Sequence, residues 1–332
     1  MKTTIKDISK YCNVSVGTVD RALNNRPGIS SQTKEKILQA AEQLSYHPNH
    51  TGRSLAKGKT MTIGVVCFDF YNYFFPELIN TIEARAKEKG YFIYLILTHR
   101  NFDMERDGIR YLCERQVDGI ILFPIGMDKG YVRELERMGI PIVTIYNKLD
   151  SRFPFVGVND RQAMEDAVEY IVSKGYKHIS YVTPELESQE KEGLNTYTLQ
   201  QRLQGYLNGM KKAGLEDIQV LEKGSIEEKT DLLTKNISLK GKTAVLCLCD
   251  SYAIQVLDCL QSRKISVPDQ IGLMGYDNID ALKYIKPRLT TIKYSVMQMG
   301  QAVTDLLFQS IQDPEFTAEY ILDYSIVEGD SL

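Results

Sequence analysis

Residues 7–49 read DISKYCNVSVGTVDRALNNRPGISSQTKEKILQAAEQLSYHPN, and this stretch decides the fold of the amino-terminal part of the chain. The spacing of Thr4 and Asp7 at its start fits a capping box, which begins a helix. After a short break Ser15 is placed to cap a second helix, and Ser30 is placed to cap a third. The pattern predicts three short helices around one small apolar core.

Two helices joined by a tight turn and supported by a third form the arrangement that places a helix in the major groove of DNA. Charge points the same way, since residues 1–60 hold ten Lys and Arg against four Asp and Glu. That segment is therefore +6, and because the whole chain is −3, residues 61–332 carry −9. A basic head on an acidic body predicts that only the head meets a polyanion, although chance clustering on a solvated surface is the alternative.

The sequence of residues 7–24 resembles the start of the sequences of the lactose-repressor (LacI) family of bacterial transcription regulators. Nine residues match the signature of that family, namely Asp7, Ile8, Val14, Ser15, Thr18, Val19, Arg21, Leu23 and Asn24. The resemblance implies that residues 1–45 form an all-α helix-turn-helix domain, which would bind double-stranded operator DNA.

The resemblance also implies roles for single residues. Val16, Gly17 and Arg21 occupy base-reading positions, and Ser15, Thr18, Asn24 and Thr33 fall where phosphates are held. Arg21 is the best candidate reader, because a guanidinium can bond O6 and N7 of guanine together. Asp20, where the family usually has Ser, puts a negative charge near the phosphates or else pairs with a basic neighbour.

Residues 46–60 resemble the hinge of the family, a segment that wedges a leucine into the minor groove. Leu55, followed by Ala56, takes that place, and a plain linker is the alternative reading. The nonapeptide GRSLAKGKT, which begins at Gly52, looks like a phosphate-binding P-loop. It has five residues between its glycines where a P-loop needs four, so we expect no nucleotide there.

From residue 61 onward, apolar runs alternate with amphipathic segments. The runs are MTIGVVCF, YFIYLIL, DGIILFP, IPIVTIY, HISYVTP, DIQVLE, TAVLCLC and IGLMGYD, and the predicted helices lie around 76–89, 104–115, 199–213, 231–237 and 252–263. This βαβ alternation predicts two doubly wound parallel sheets. Such sheets bind ligands at the carboxyl ends of their strands, so paired lobes should face each other across a cleft.

Segments such as QRLQGY and GLMGYDN extend the resemblance over the whole chain, and imply that residues 61–332 form a periplasmic-binding-protein-like sensor and dimerisation domain. By that likeness the first lobe holds about 61–159 and 292–319, and the second about 160–291 and 320–332. The chain is expected to return to the first lobe at Leu289–Ile292. Eight residues are the candidate effector contacts, namely Asn72, Phe74, Phe75, Tyr146, Arg202, Cys249, Asp277 and Tyr294.

The nature of the effector is suggested by departures from the family. Tyr146, Cys249 and Tyr294 stand where polar residues are common, which predicts a less polar pocket. We expect a carbohydrate-like effector with an apolar or ring-bearing portion, such as a sugar derivative or a cyclitol-like molecule, held by Tyr146 and Tyr294. The alternatives are that Phe74 and Phe75 belong to the core, and that Arg202 and Asp277 are a surface charge and a turn residue.

Several protein classes are disfavoured by what the sequence lacks. No window reaches the roughly 18–20 apolar residues of a membrane span, and the start lacks the apolar run of a signal peptide, so we expect a cytoplasmic protein. Six scattered cysteines and four histidines form no metal spacing, so neither a metal nor a cofactor is expected. The absence of G-x-S-x-G and of a strand-linked G-x-G-x-x-G argues against an enzyme.

Sugar capture without DNA binding is a third reading, which the basic head opposes. One short recognition helix buries too little surface for useful specificity. We therefore expect a homodimer that reads a pseudo-palindrome, with a tetramer left open.

Overall fold

The computed structural model describes residues 3–46, 58–71, 74–235 and 241–332. The chain divides into two compact units, residues 1–60 and 61–332. Among the described residues, no helix combines the length and the apolar character needed to cross a bilayer.

Over residues 3–46 the first unit folds into short helices, as the caps predict. They are α1 (Ile5–Cys12), α2 (Val16–Leu23) and α3 (Ser31–Gln43). The Asp7 carboxylate accepts hydrogen bonds from the backbone N–H and the hydroxyl of Thr4, at 2.8 and 2.7 Å, which fixes the start of α1. The core of this unit is formed by Ile8, Cys12, Val19, Ala22, Ile37, Ala40 and Ala41.

The second unit alternates strands and helices from residue 62 onward. In chain order these are β1 (Thr62–Cys67), α4 (Phe74–Glu88), β2 (Phe92–Leu97), α5 (Phe102–Glu114), β3 (Ile120–Leu122), α6 (Lys129–Arg137), β4 (Ile142–Ile145), β5 (Phe155–Val158), α7 (Asp160–Ser173), β6 (His178–Val182), α8 (Leu186–Lys191), α9 (Tyr197–Lys212), β7 (Gln219–Leu221), α10 (Ile226–Thr234), β8 (Thr243–Cys247), α11 (Asp250–Ser262), β9 (Ile271–Tyr276), a 3₁₀ helix (Asp280–Tyr284), β10 (Thr290–Tyr294), α12 (Val296–Gln312), β11 (Glu319–Leu322) and β12 (Tyr324–Val327).

Two sheets result, one in each lobe. The first has the strand order β11-β5-β4-β3-β1-β2, with all pairs parallel. The second has the order β12-β10-β9-β8-β6-β7, with β12 antiparallel to β10 at its edge. Central strands such as β8 are buried along their whole length, which explains their continuous apolar runs. The predicted pair of doubly wound sheets is confirmed, with mostly parallel pairing.

The chain crosses between the lobes a few residues later than the sequence suggests. The strand β10 continues to Tyr294 in the second sheet, because it pairs with β9 on one side and with β12 on the other. The return to the first lobe therefore follows Tyr294, where α12 packs against α4. The last crossing lies between β11, in the first sheet, and β12, in the second.

One predicted helix is displaced toward the amino terminus. The sequence predicts a helix over 231–237, whereas α10 begins at Ile226 and ends at Thr234. The reason is a capping box in which the backbone N–H of Ser225 donates to Glu228 at 2.8 Å and the Glu228 N–H donates to the Ser225 hydroxyl at 3.2 Å. The residues 236–240 lie outside the described part of the chain.

Candidate functional sites

The second helix of the head, α2, separates its apolar and its outward residues cleanly. Val19 and Ala22 are buried in the core, whereas Val16, Gly17 and Arg21 are exposed. Val16 is 45% exposed, so it is accessible to a partner. The Arg21 guanidinium makes no hydrogen bond or ion pair with any other residue that the structure describes. The three predicted base-reading positions therefore share one accessible face.

The predicted phosphate-holding residues lie at helix ends. The hydroxyls of Ser15 and Thr18 are 2.8 Å apart at the start of α2, and those of Ser30 and Thr33 are 2.8 Å apart at the start of α3. Backbone N–H groups at such helix starts favour anions. Asn24 lies at the other end of α2. The predicted minor-groove residues Leu55 and Ala56 lie outside the described residues.

Asp20 is paired within the head. Its carboxylate accepts a hydrogen bond from Asn24 Nδ2 at 2.8 Å and forms a salt bridge with Arg26 Nη1 at 3.1 Å. Of the two readings that the sequence leaves open, the structure favours the partner for a basic neighbour. The amide of Asn24 is thereby also engaged inside the protein.

Five of the eight predicted effector residues line one cavity of about 390 Å³ between the two lobes. They are Phe74, Phe75, Tyr146, Cys249 and Asp277. Arg202 and Tyr294 are not among its lining residues, although both contact Asp277. Asn72 lies outside the described residues. The carboxyl ends of β4 and β8 both meet this cavity, as expected for ligands of parallel sheets.

The first lobe contributes an aromatic wall, which we define as Phe68, Phe74, Phe75 and Tyr146. The ring centres of Phe68 and Phe75 are 5.6 Å apart and those of Phe74 and Phe75 are 5.1 Å apart, both with edge-on geometry. The rings of Phe74 and Tyr146 are 6.1 Å apart. Phe74 and Phe75 thus belong both to the core and to the cavity lining. Burial raises the pKa of Tyr146 to about 12, so its hydroxyl stays protonated.

The second lobe contributes an ionic network around Arg202, which is only 2% exposed and hence not a surface charge. Its Nε donates to Asp160 at 2.8 Å and its Nη1 donates to the carbonyl oxygen of Leu248 at 2.6 Å. The guanidinium carbon lies 3.6 Å from the centre of the Tyr276 ring. Burial works against the charged form, but the negative charge of Asp160 raises the pKa of Arg202 above its ordinary value.

Asp277 joins this network to the cavity. Its Oδ1 accepts a hydrogen bond from the Tyr294 hydroxyl at 3.0 Å and lies 3.7 Å from Arg202 Nη2. The backbone of Asp277 has a φ of 108°, a conformation that a non-glycine residue adopts only when its surroundings hold it. Asp277 therefore presents a fixed carboxylate to whatever fills the cavity.

Asp250 holds the loop that carries Asp277. Its carboxylate accepts hydrogen bonds from the Ile279 N–H at 2.9 Å and from the Thr291 hydroxyl at 2.7 Å. Burial, together with the nearby charge of Asp277, raises the pKa of Asp250 to about 8. Gly275 leaves room for this carboxylate, since a Cβ there would lie 2.1 Å from Asp250 Oδ1.

Sequence reasoning missed the segment between β6 and α9, from which Pro184, Gln189, Glu192, Leu194 and Asn195 reach the cavity. The signal that could have identified this segment is its position after the carboxyl end of a predicted strand, where ligands of parallel sheets bind. It also missed Arg100 and Asn147 in the first lobe. Asn147 comes directly after the predicted contact Tyr146.

Three of the missed residues, Asn147, Leu194 and Asn195, take part in backbone and side-chain contacts that join the two lobes, and we call this set of contacts the clasp. The Asn195 N–H donates to the carbonyl oxygen of Ile125 at 2.5 Å, and the Asn147 side-chain amide donates to the carbonyl oxygen of Asn195 at 3.2 Å. The Thr198 hydroxyl donates to the carbonyl oxygen of Tyr146 at 2.7 Å. Gly126 and Leu194 form an isolated antiparallel bridge. The clasp therefore joins the two lobes beside the cavity.

Metal chemistry finds no support in the described ranges, where no group of three or more His, Cys, Asp or Glu residues could hold an ion. The six cysteines are all free. Cys67 and Cys247 are buried strand residues, and burial raises the pKa of the Cys67 thiol to about 12. Neither thiol is a ready nucleophile near neutral pH.

Comparison with known proteins adds two domain matches. Residues 4–49 match the profile of bacterial regulatory proteins of the lacI family. Residues 168–332 match the profile of a periplasmic binding protein-like domain.

Similar full-length proteins are also found. The chain is 32% identical to the HTH-type transcriptional regulator RegA of Clostridium acetobutylicum, over 100% of this chain and 99% of that protein. It is 31% identical to the HTH-type transcriptional repressor PurR of Vibrio campbellii, over 94% of this chain and 93% of that protein. Among solved structures, the lac repressor dimer bound to operator and the anti-inducer ONPF aligns with a TM-score of 0.85 at 22% identity, covering 100% of this chain and 99% of that one.

Proposed function

Because this chain belongs to the lacI family of bacterial regulatory proteins, we propose that it is a sequence-specific DNA-binding transcription repressor controlled by a small effector. The observation that carries the DNA-binding half is the exposed face of α2, where Val16, Gly17 and Arg21 lie together. The cavity between the lobes takes the effector. The chain acts by binding, and its relatives RegA and PurR carry the names of regulators.

Within this proposal Arg21 is the main reader of base sequence. Its guanidinium is engaged by no other described residue, so it remains available for O6 and N7 of a guanine. Val16 offers an apolar contact to a thymine methyl, and Gly17 contributes no side-chain contact. Ser15, Thr18 and Thr33 hold phosphates, and Asn24 joins them by releasing the hydrogen bonds of its amide to Asp20, while Leu55 and Ala56 enter the minor groove.

The test compares two arginines of the head after an operator has been selected from random duplex DNA with the full chain. The Arg21→Ala variant should lose about 1–3 kcal/mol of binding at one base pair of each half-site and relax the preference there. The control is Arg26→Ala. Because Arg26 is paired with Asp20, its loss should change the affinity for all DNA sequences alike. Equal losses on every sequence for Arg21→Ala would make Arg21 a phosphate contact. A full chain that retards no duplex at low salt would end the proposal.

We further propose that the chain works as a homodimer whose two heads read adjacent half-sites about 10 bp apart. An effector that alters the closure of the cleft would move the first lobes and thereby the spacing of the heads. Sedimentation of the full chain at micromolar concentration should give the mass of two chains or a multiple of two. A monomer that still protects a two-fold symmetric operator would contradict the dimer.

For the effector we propose a carbohydrate-like molecule with a ring-bearing or apolar portion. The support is the contrast between the aromatic wall, which offers ring faces and edges, and Asp277, which accepts hydroxyl hydrogen bonds. Tyr146 lines the cavity, whereas Tyr294 acts through Asp277. Calorimetry with D-glucose, D-ribose, myo-inositol and phenyl β-D-glucoside tests this. Tight binding of an unmodified sugar, with none of the others, would contradict it.

A further inference from the structure

A buried carboxylate in the first lobe, that of Glu105 on α5, is not explained by the site described above. Glu105 is 0% exposed and does not line the cavity. Its Oε2 accepts a hydrogen bond from the Ile125 N–H at 2.7 Å. Its Oε1 accepts from the Gly126 N–H at 3.2 Å and from the Tyr131 hydroxyl at 2.6 Å. Burying a carboxylate costs free energy unless hydrogen bonds replace those it made to water. We therefore ask what this buried carboxylate does.

No cation in the described part of the chain forms a salt bridge with Glu105. The adjacent Arg106 turns instead to Glu134 on α6, at 2.6 Å. The three hydrogen bonds are therefore the main compensation for removing this carboxylate from water. Conversely, the two backbone N–H groups have Glu105 as their acceptor, which ties the position of the backbone at Ile125 and Gly126 to one side chain.

The same two residues carry part of the clasp. The carbonyl oxygen of Ile125 accepts the N–H of Asn195 from the second lobe, and Gly126 forms its bridge with Leu194. Leu194, Asn195 and Ile125 all line the cavity. Gly126 also lies against Phe102, since a Cβ there would meet the ring at 2.1 Å, so the backbone has little room to shift. This short segment therefore binds Glu105 through its two N–H groups and the second lobe through the carbonyl oxygen of Ile125.

We infer that Glu105 is a positioning residue for the effector cavity, which holds residues 125 and 126 in the one arrangement that lets them hydrogen-bond the second lobe. The inference rests on the proposed function of the cavity. Glu105 touches no effector itself. It acts through the backbone, and its loss should loosen both partners of the clasp, including the partner in the other lobe.

Hydrogen exchange of the full chain, read by mass spectrometry, tests this without knowledge of the effector. The variant Glu105→Gln keeps the size of the side chain but replaces one acceptor oxygen with a donor amide, which opposes a backbone N–H. Burial raises the pKa of Glu105 to about 7, so exchange is measured at pH 8, where the carboxylate is ionised. It should rise about 10- to 100-fold in the peptides 123–127 and 193–197, since the lost bond is made to a charged group. The control is Glu134→Gln, which removes surface ion pairs with Arg106 and Arg110 and should leave both peptides unchanged.

Three outcomes would overturn the inference. Exchange that rises only at 123–127 would mean that Glu105 supports its own lobe and not the clasp. Faster exchange throughout the first lobe with a lowered Tm would mean a general structural role. No change in either peptide would mean that the bonds are dispensable. If Glu105→Gln does not fold, Tyr131→Phe removes a single bond to Oε1, and should raise exchange about 5-fold in both peptides. Retardation of DNA by the same preparations tests the proposed function separately.

Discussion

The two walls of the cavity are built by different physics. The first lobe presents rings that pack mostly edge to face, and Arg100, the one charged residue among its described lining residues, lies over the Phe68 ring at 5.2 Å. The second lobe presents Asp277, which is held by the buried network of Arg202, Asp160, Asp250 and Tyr294. Dispersion and the burial of apolar area stabilise the first wall, so its stability depends on how closely the rings pack. Paired charges hold the second wall, and they tolerate the loss of a partner poorly.

This difference predicts a division of labour. An apolar wall selects the shape and the apolar area of a ligand, whereas a fixed carboxylate rejects any ligand that leaves it unpaired. Damage to the second wall should therefore cost more than damage to the first. The contribution of the second wall to the free energy of unfolding should also depend on pH, whereas that of the aromatic wall should not.

The largest effect is expected from Arg202→Met. The change leaves the buried carboxylates of Asp160 and Asp277 without their cation, and should lower the free energy of unfolding by about 3–5 kcal/mol. Denaturant titration of the full chain, read in the transition of the two-lobed unit, measures it. The control is Arg152→Met, because the Arg152 side chain is 51% exposed and its ion pairs should contribute under about 1 kcal/mol. Similar losses for both variants would remove the contrast between the walls.

The pH dependence of stability should come from the second wall. Asp250 has a pKa near 8 in the folded chain and an ordinary value of 3.8, so the folded state binds its proton more tightly than the unfolded state does. The free energy of unfolding should then fall as pH rises through this window, by up to about 1.4 kcal/mol per pH unit. Asp250→Asn removes this contribution, so wild type should lose about 2–3 kcal/mol relative to the variant between about pH 6 and 8.

The matched control for that experiment is Asp107→Asn, whose side chain is 79% exposed on α5. Its curve of stability against pH should run parallel to that of wild type. If wild type and Asp250→Asn also run parallel, the Asp250 carboxylate is ionised throughout. The hydrogen bonds from Thr291 and Ile279 would then outweigh its burial.

The division between the walls also explains how far the sequence could be read. The head was predicted in detail because its signals are local, as with the Ser15 and Ser30 caps that lie three residues from their partners. The sheets followed from strand periodicity. The aromatic wall was partly predicted, since Phe74, Phe75 and Tyr146 are aromatic residues that follow predicted strands.

The ionic network and the clasp escaped prediction for a physical reason. Arg202 pairs with Asp160, 42 positions away, and Asn195 pairs with Ile125 across the cleft. Such partners are chosen by tertiary packing, and nothing in the spacing of the residues specifies them. The sequence placed Arg202 among the effector contacts, whereas in the structure it contacts the Asp277 carboxylate, which lines the cavity.

A smaller effect is expected from Phe75→Leu in the aromatic wall. The ring makes edge-on contacts with Phe68, Phe74 and Phe123, so its loss should cost about 2 kcal/mol of stability. The control Phe153→Leu changes a buried ring of the same lobe in a separate cluster. Calorimetry with phenyl β-D-glucoside should show weaker binding for Phe75→Leu alone. Equal binding by the two variants would place the ring of the ligand elsewhere.

The smallest effect is expected from Tyr294→Phe, which removes a single hydrogen bond to Asp277 and should cost about 1 kcal/mol. The matched control is Tyr324→Phe, because the Tyr324 hydroxyl donates to Asp166 at 2.6 Å in the same lobe, and neither residue lines the cavity. The two variants should lose similar stability in denaturant titration. Only Tyr294→Phe should weaken the binding of a ligand that carries hydroxyl groups, because Asp277 lines the cavity and Asp166 does not. If both variants bind the ligand as wild type does, Arg202 alone fixes the Asp277 carboxylate, and the tyrosine merely fills the space behind it.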